Sequence, residues 1–229
     1  MEQVLIESAL AKAEIAAGSG EGLAGTGFWK AVSEVKTDPQ LVEAYADRIS
    51  AIDQEAFGNW ALYSVSLVRG TWFMLATSVL GVAFIGWSAS LSEPISVLAF
   101  FLGMGALLVS THGLAHLLVG RIAGIRFTGW FIGTITRPQP GVKVDYSSYL
   151  RTDASKRAWM HASGAIVTKA VPFLLIGPAI AVSLPVWAIW VLPIVGLVTI
   201  VTDVVWSTGQ SDWKKFSRER VFAQTSRSG

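Results

Sequence analysis

At 229 residues, with 52% hydrophobic and only 15% charged residues and a mean hydropathy of +0.51, the chain is too apolar for a soluble domain of its size. It reads as a polytopic membrane protein. The complete absence of cysteine excludes a disulfide framework, a thiolate nucleophile and any Cys-ligated metal, and the net charge of +2 gives no reason to expect a nucleic-acid partner.

Residues 1–57 have the character of an N-terminal cytoplasmic helical region. The opening Met-Glu-Gln-Val lacks a basic stretch, so a cleaved signal peptide is not expected. Glu2 to Ala17 is rich in Ala, Leu, Ile and Glu and predicts a helix that stops at Gly18-Ser19-Gly20-Glu21-Gly22. Phe28, Trp29, Val32 and Val35 mark a short second helix. Asp38-Pro39, an N-cap followed by Pro at the first helical position, begins a third, with Leu41, Val42, Tyr45, Ile49 and Ile52 at helical spacing. That apolar face packs within the region, on a partner, or on the membrane surface.

A transmembrane domain at 58–209 follows. Its four apolar stretches, at about 70–89, 94–120, 158–182 and 185–206, each have the length a bilayer core requires. Trp72, Trp87, Trp159, Trp187 and Trp206 fall near their ends, where an aromatic belt would place them. Pro172, Gly177 and Pro178 predict a kink in the third span, and Pro193 and Gly196 one in the fourth. The turns Ser90-Leu91-Ser92-Glu93 and Ser183-Leu184 carry no Lys or Arg. The segment between spans two and three carries Arg121, Arg126, Arg137, Lys143, Arg151, Lys156 and Arg157. The positive-inside rule therefore places that segment and both termini in the cytoplasm, as in a multi-pass protein of the cell (inner) membrane.

Within this segment, the alternation in Arg126-Phe127-Thr128-Gly129-Trp130-Phe131-Ile132-Gly133-Thr134-Ile135, then Pro138-Gln139-Pro140-Gly141, then Val142-Lys143-Val144 predicts a β-hairpin or a re-entrant strand. Residues 210–229 form a basic, aromatic cytoplasmic tail suited to lie along an anionic leaflet.

The three histidines all fall in the apolar spans. His112 and His116, at i and i+4, share one helix face, the spacing a metal needs. Counting rise per residue from the cytoplasmic ends puts His116, His161 and Asp203 roughly 6 Å deep and His112 roughly 12 Å deep. Asp203 is the sole acidic residue within a span, and a lone buried carboxylate is costly unless a metal or a cation stands beside it. Two imidazoles and a carboxylate are a zinc set, so His112, His116 and Asp203 are the candidate ligands. The plainer reading is that they join helices by hydrogen bonds. His161 is a further ligand, a donor to a ligand, or a helix-contact residue. Lys169, an intramembrane charge near the midplane, pairs with Asp203, snorkels, or acts as a nucleophile or lipid-head partner. Ser110 and Thr111 adjoin His112 but do not face it on a helix.

The run His112-Gly113-Leu114-Ala115-His116-Leu117-Leu118-Val119-Gly120-Arg121-Ile122-Ala123-Gly124-Ile125-Arg126-Phe127 resembles the signature helix of the site-2 proteases, intramembrane zinc metalloproteases with an HExxH motif. Gly124 and Ile125-Arg126 match the continuation of that motif. Ala162-Ser163-Gly164-Ala165-Ile166-Val167-Thr168 stands where the family has a Gly-Pro-x-x-Asn stretch, and Asp203 where it supplies the third zinc ligand. The resemblance covers about residues 94–210. It implies a three-helix core inside an all-α, four-span fold with a small hairpin, a zinc cofactor, and Thr168 and His161 as neighbours of the ligands. The departures are Gly113 at the general-base position, Ala165 and Thr168 in place of Pro and Asn, and Val204 after Asp203. No catalytic residue is therefore assigned. The resemblance implies a degenerate, inactive member, a pseudoprotease that binds or positions a membrane protein partner in the lipid bilayer through a retained or vestigial metal site. The alternatives are an active zinc metalloendopeptidase with a non-standard base, and a structural or accessory subunit without metal.

Overall fold

The computed structural model describes residues 2–135, 140–205 and 211–228. In chain order the elements are α1 (Glu2–Gly18), α2 (Phe28–Val35), α3 (Pro39–Trp60), β1 (Tyr63–Ser66), α4 (Leu67–Trp87) with a 3-10 turn at Ser88–Ser90, α5 (Ile95–Ile122), β2 (Phe127–Ile132), β3 (Pro140–Val144), α6 (Tyr146–Arg151), α7 (Ala154–Leu174), α8 (Ile176–Ala181), α9 (Val186–Val205) and α10 (Asp212–Ser228). They form two compact units. One comprises Met1–Leu67, Gly120–Arg157 and Arg218–Gly229, the other Val68–Val119 and Ala158–Ser217.

In the first unit, Pro39 opens α3 while the Asp38 carboxylate accepts from the Gln40 amide at 2.8 Å, satisfying one of the helix's orphan donors. α1, α2 and α3 pack on one another, burying Ile6, Leu10 and Ala13, Phe28, Val32 and Val35, and Ile49 and Ile52. The apolar face of α3 is thus used within the region. Glu219, in α10, is fully buried. It accepts from Lys36 Nζ at 2.5 Å, Arg157 Nε at 2.7 Å and the Tyr149 hydroxyl at 3.0 Å. Arg157 spends further donors on the Leu150 and Thr152 carbonyls at 3.0 and 2.7 Å. Burial alone would raise the Glu219 carboxyl, but the two adjacent cations outweigh it and hold the group down to about 2.

The sheet of this unit has the order β1-β2-β3, both pairings antiparallel. The predicted hairpin is present as β2 and β3, although Pro138 and Gln139 of its turn lie outside the described residues. The all-α expectation changes by one element, because β1 adds a third strand from a stretch to which no element was assigned. Tyr63 pairs with Ile132 and Ser66 with Gly129. Gly129 is required there, since a Cβ would stand 2.7 Å from the Val65 carbonyl oxygen. Lys143 of β3 forms an ion pair with the buried Asp53 of α3 and lies over the Phe57 ring at 4.6 Å.

The second unit holds most of the apolar length of the chain. Four helices, Leu67–Ser90, Ile95–Ile122, Ala154–Ala181 and Val186–Asp203, are long and apolar enough to cross a membrane. Their outward faces are as apolar as the inward ones. Trp72, Phe73, Val79 and Leu80 of α4 and Trp190, Ile194, Leu197 and Val201 of α9 are exposed, whereas Phe100, Ala179, Ala188 and Leu192 are buried. Helices apolar all round belong in lipid rather than water. The third span is broken at Leu175 between α7 and α8, because the Pro178 ring has no N–H to donate and would clash with the Leu174 carbonyl. Trp206, the expected end of the fourth span, lies outside the described residues. α4 and α5 approach closely at two glycines: a Cβ on Gly103 would stand 2.5 Å from the Gly81 carbonyl oxygen. A Ser78 hydroxyl bond to Ser110 Oγ at 2.8 Å lies on the same seam.

Two outcomes test this packing. Gly103→Ala inserts a methyl where backbone already stands and is expected to cost about 1–3 kcal/mol, read as a lowered midpoint of unfolding in detergent. Glu219 has a folded pKa below its ordinary value of 4.5, so its contribution is complete above pH 4.5 and is lost as pH falls through about 2. Glu219→Gln is expected to cost about 3–5 kcal/mol at neutral pH, with the gap from wild type narrowing through that acid window. Equal neutral-pH stabilities would remove the ion cluster from this account.

Candidate metal centre

The second unit brings three donor atoms to one point. His112 and His116 lie on one face of α5, their rings edge to face with centroids 4.7 Å apart. Their Nε2 atoms are 3.2 Å from each other. Asp212, the first residue of α10, sets Oδ2 at 3.2 Å from His112 Nε2 and 3.1 Å from His116 Nε2. The other carboxylate oxygen, Oδ1, lies 3.4 Å from Lys215 Nζ. Among the described residues this is the group of His and carboxylate side chains placed to hold a metal ion.

α7 supplies the outer side of the site. His116 Nδ1 lies 2.7 Å from the Met160 carbonyl oxygen, which can only accept, so Nδ1 carries the hydrogen. His112 Nδ1 lies 2.9 Å from Thr168 Oγ1. The Thr168 hydroxyl donates its own hydrogen to the Gly164 carbonyl at 2.9 Å, so it accepts from the ring. Both imidazoles are thereby fixed with a proton on Nδ1, so in the neutral ring the lone pair is on Nε2. Gly164 makes room for them. A Cβ there would stand 2.6 Å from His116 Cε1 and 2.9 Å from His112 Cε1.

Two nitrogen lone pairs and a carboxylate oxygen at such spacing repel unless positive charge enters the triangle. Protons on Nε2 are one source. With protons there, hydrogen bonds from His112 and His116 outweigh the effect of burial, which raises the Asp212 carboxyl, and hold it well below the usual carboxylate range. A metal cation is the other source. A tetrahedral ion with bonds of 2.0–2.1 Å needs donors about 3.3 Å apart. All three edges of the triangle, at 3.1–3.2 Å, approach that figure. A single proton serves one edge, and a proton on each Nε2 serves both histidine–carboxylate edges but sets two donors against each other at 3.2 Å, whereas one cation faces all three donors. The donor set and spacing therefore fit a zinc-like ion.

The sequence-predicted residues separate into two groups. His112, His116 and Thr168 meet at the centre. Asp203 does not join them. Its carboxylate meets Lys169 Nζ at 2.5 Å, the cross-helix pairing that was one of the readings for that lysine. The acidic donor at the imidazoles is Asp212 instead. Depth along a span fixes the level of a residue but not the direction it faces, which is how Asp203 matched in height. Asp212 lies beyond the fourth span, in the stretch that composition marks as a basic tail. Its signal was its position at the head of a helix directly after the fourth span. The His161 ring centroid is 6.5 Å from that of His116, and His161 stands outside the donor triangle. Gly113 follows His112 on α5 and offers no side chain for proton transfer.

Comparison with protein-family models, curated proteins and solved structures gives no match for this chain. The hydrogen-bond assignment is open to direct measurement. Long-range proton–nitrogen spectra are expected to show Nδ1 protonated in both imidazoles, and Thr168→Val to release His112 alone. Protonation of His116 at Nε2 only would contradict the geometry.

Proposed function

We propose that the chain is a metal-binding integral membrane protein of site-2-protease type that has lost its catalytic base and binds or positions a membrane protein partner without cleaving it. The observation that carries the reading is the convergence of two Nε2 lone pairs and one carboxylate oxygen, with both imidazoles held in the metal-ready tautomer from behind. A zinc ion so held would supply Lewis acidity and lower the pKa of a bound water. His112, His116 and Asp212 would hold it, while Thr168 and Met160 orient the rings. Gly113 carries no group to take a proton, and the one carboxylate at the centre faces the imidazoles with one oxygen and Lys215 with the other. Absence of a general base typically costs 10²–10⁴-fold in rate, which favours binding over turnover. The distribution of basic residues favours cytoplasmic termini and a cell (inner) membrane location.

Metal analysis of protein purified in detergent tests the reading. Wild type is expected to retain one zinc per chain, His112→Ala and Asp212→Asn to lose it, and Asp203→Asn to keep it. Metal-free wild type after zinc loading would end the proposal, and loss of metal in Asp203→Asn alone would return the ligand role to that residue. Cleavage of a transmembrane substrate by wild type, abolished in His116→Ala, would overturn the assignment of inactivity.

A further inference from the structure

The three-stranded sheet is polarised along its strands. At one end lie charges: Lys143 opposite Gly129, the Lys143–Asp53 pair, and Arg126 with Asp145 at 3.0 Å. At the other end, around the Tyr63–Ile132 pair, stand exposed apolar side chains. Trp60 is 46% exposed, Leu62 57%, Tyr63 60%, Ile132 40% and Ile135 81%. Behind them Phe57, Trp60 and Phe131 form an aromatic cluster with centroids 4.9–5.9 Å apart. No charged residue occurs between Glu55 and Arg69, nor between Arg126 and Arg137.

This composition is wrong for water. β1 is an edge strand, and edge strands in water are normally guarded by charge, Pro or a bulge. β1 has no charge and no Pro, and the bulge of this sheet lies in β2 between Phe127 and Gly129. Trp and Tyr with aliphatic neighbours are the residues that settle at the boundary between headgroups and acyl chains. The sheet is joined to the first spanning helix through its charged end, where Ser66 pairs with Gly129. β1 ends at Ser66 and the first spanning helix starts at Leu67. The apolar tip is the far end of β1, tethered to the start of the span by four residues that reach at most about 13 Å.

We propose that the tip formed by Trp60, Leu62, Tyr63, Ile132 and Ile135 inserts into the headgroup–acyl boundary of the lipid bilayer, making the sheet a second membrane contact beside the spanning helices. The occupant is lipid because the five exposed side chains are uncharged, aromatic or aliphatic, and Tyr63 is tethered four residues from a spanning helix, while the one cation nearby, Lys143, is held over the Phe57 ring and paired with Asp53.

The lack of native cysteine permits a clean test. Single-cysteine variants Tyr63→Cys, Ile135→Cys and Lys12→Cys carry nitroxide labels in vesicles of phosphatidylcholine and phosphatidylglycerol. All three sites are exposed, so the core is untouched, and circular dichroism checks each variant. Oxygen is expected to relax the labels at 63 and 135 more than a water-soluble nickel chelate does, with the order inverted at 12. Nickel access at 63 and 135 equal to that at 12 would place the tip in water and overturn the proposal. Shielding from both reagents would place a protein surface there, whether a second copy or a partner, and would overturn it equally.

Discussion

Hydrocarbon offers no hydrogen-bond partner, and this constraint governs where every polar group of the apolar helices goes. Among the described residues no buried side-chain polar atom is left unpaired. Ser78 is matched to Ser110, Lys169 to Asp203, and Thr168 to Gly164 behind and His112 in front. The imidazoles are part of the same accounting. Their Nδ1 hydrogens are spent on α7, which leaves both Nε2 atoms facing the centre they share with Asp212.

Small residues make the pairings possible. Gly164 lets both rings lie against α7, and Gly81 and Gly103 let α4 and α5 meet backbone to backbone. In lipid, apolar area gives helices little reason to associate, so close approach and a few polar contacts carry the packing. The first unit works differently. It buries Leu10, Phe28, Val35 and Ile49 as a water-soluble domain does, and takes one acid, Glu219, fully inside against two cations.

What the sequence disclosed follows from this contrast. Length and hydropathy are properties of a stretch, so the spans were legible, as was the Asp38-Pro39 helix start, whose capping chemistry is local. The His112–His116 pair was legible because i, i+4 spacing fixes a shared face on any helix. β1 was not, because four residues of Tyr-Ser-Val-Ser carry little pattern of their own and become a strand only by pairing with Phe127–Ile132. Nor was the partner of the imidazoles. Asp203 lies within α9 and faces Lys169, whereas Asp212 lies beyond the fourth span at the head of α10, and only the fold brings it to the imidazoles. Thr168 was placed next to the ligands by resemblance alone. Its role as an acceptor came from where its own hydrogen goes.

The separation of the donors along the chain has a consequence for biogenesis. His116 and Asp212 are 96 residues apart, and the third and fourth spans lie between them. In chain order the histidine pair is therefore made before its carboxylate partner. The triangle closes only after both later spans have threaded and α10 has come back to α5. A chain with an inverted or missing span would carry Asp212 to the wrong side and never close it. An ion captured there would tie the last helix of the chain to α5 across everything between them.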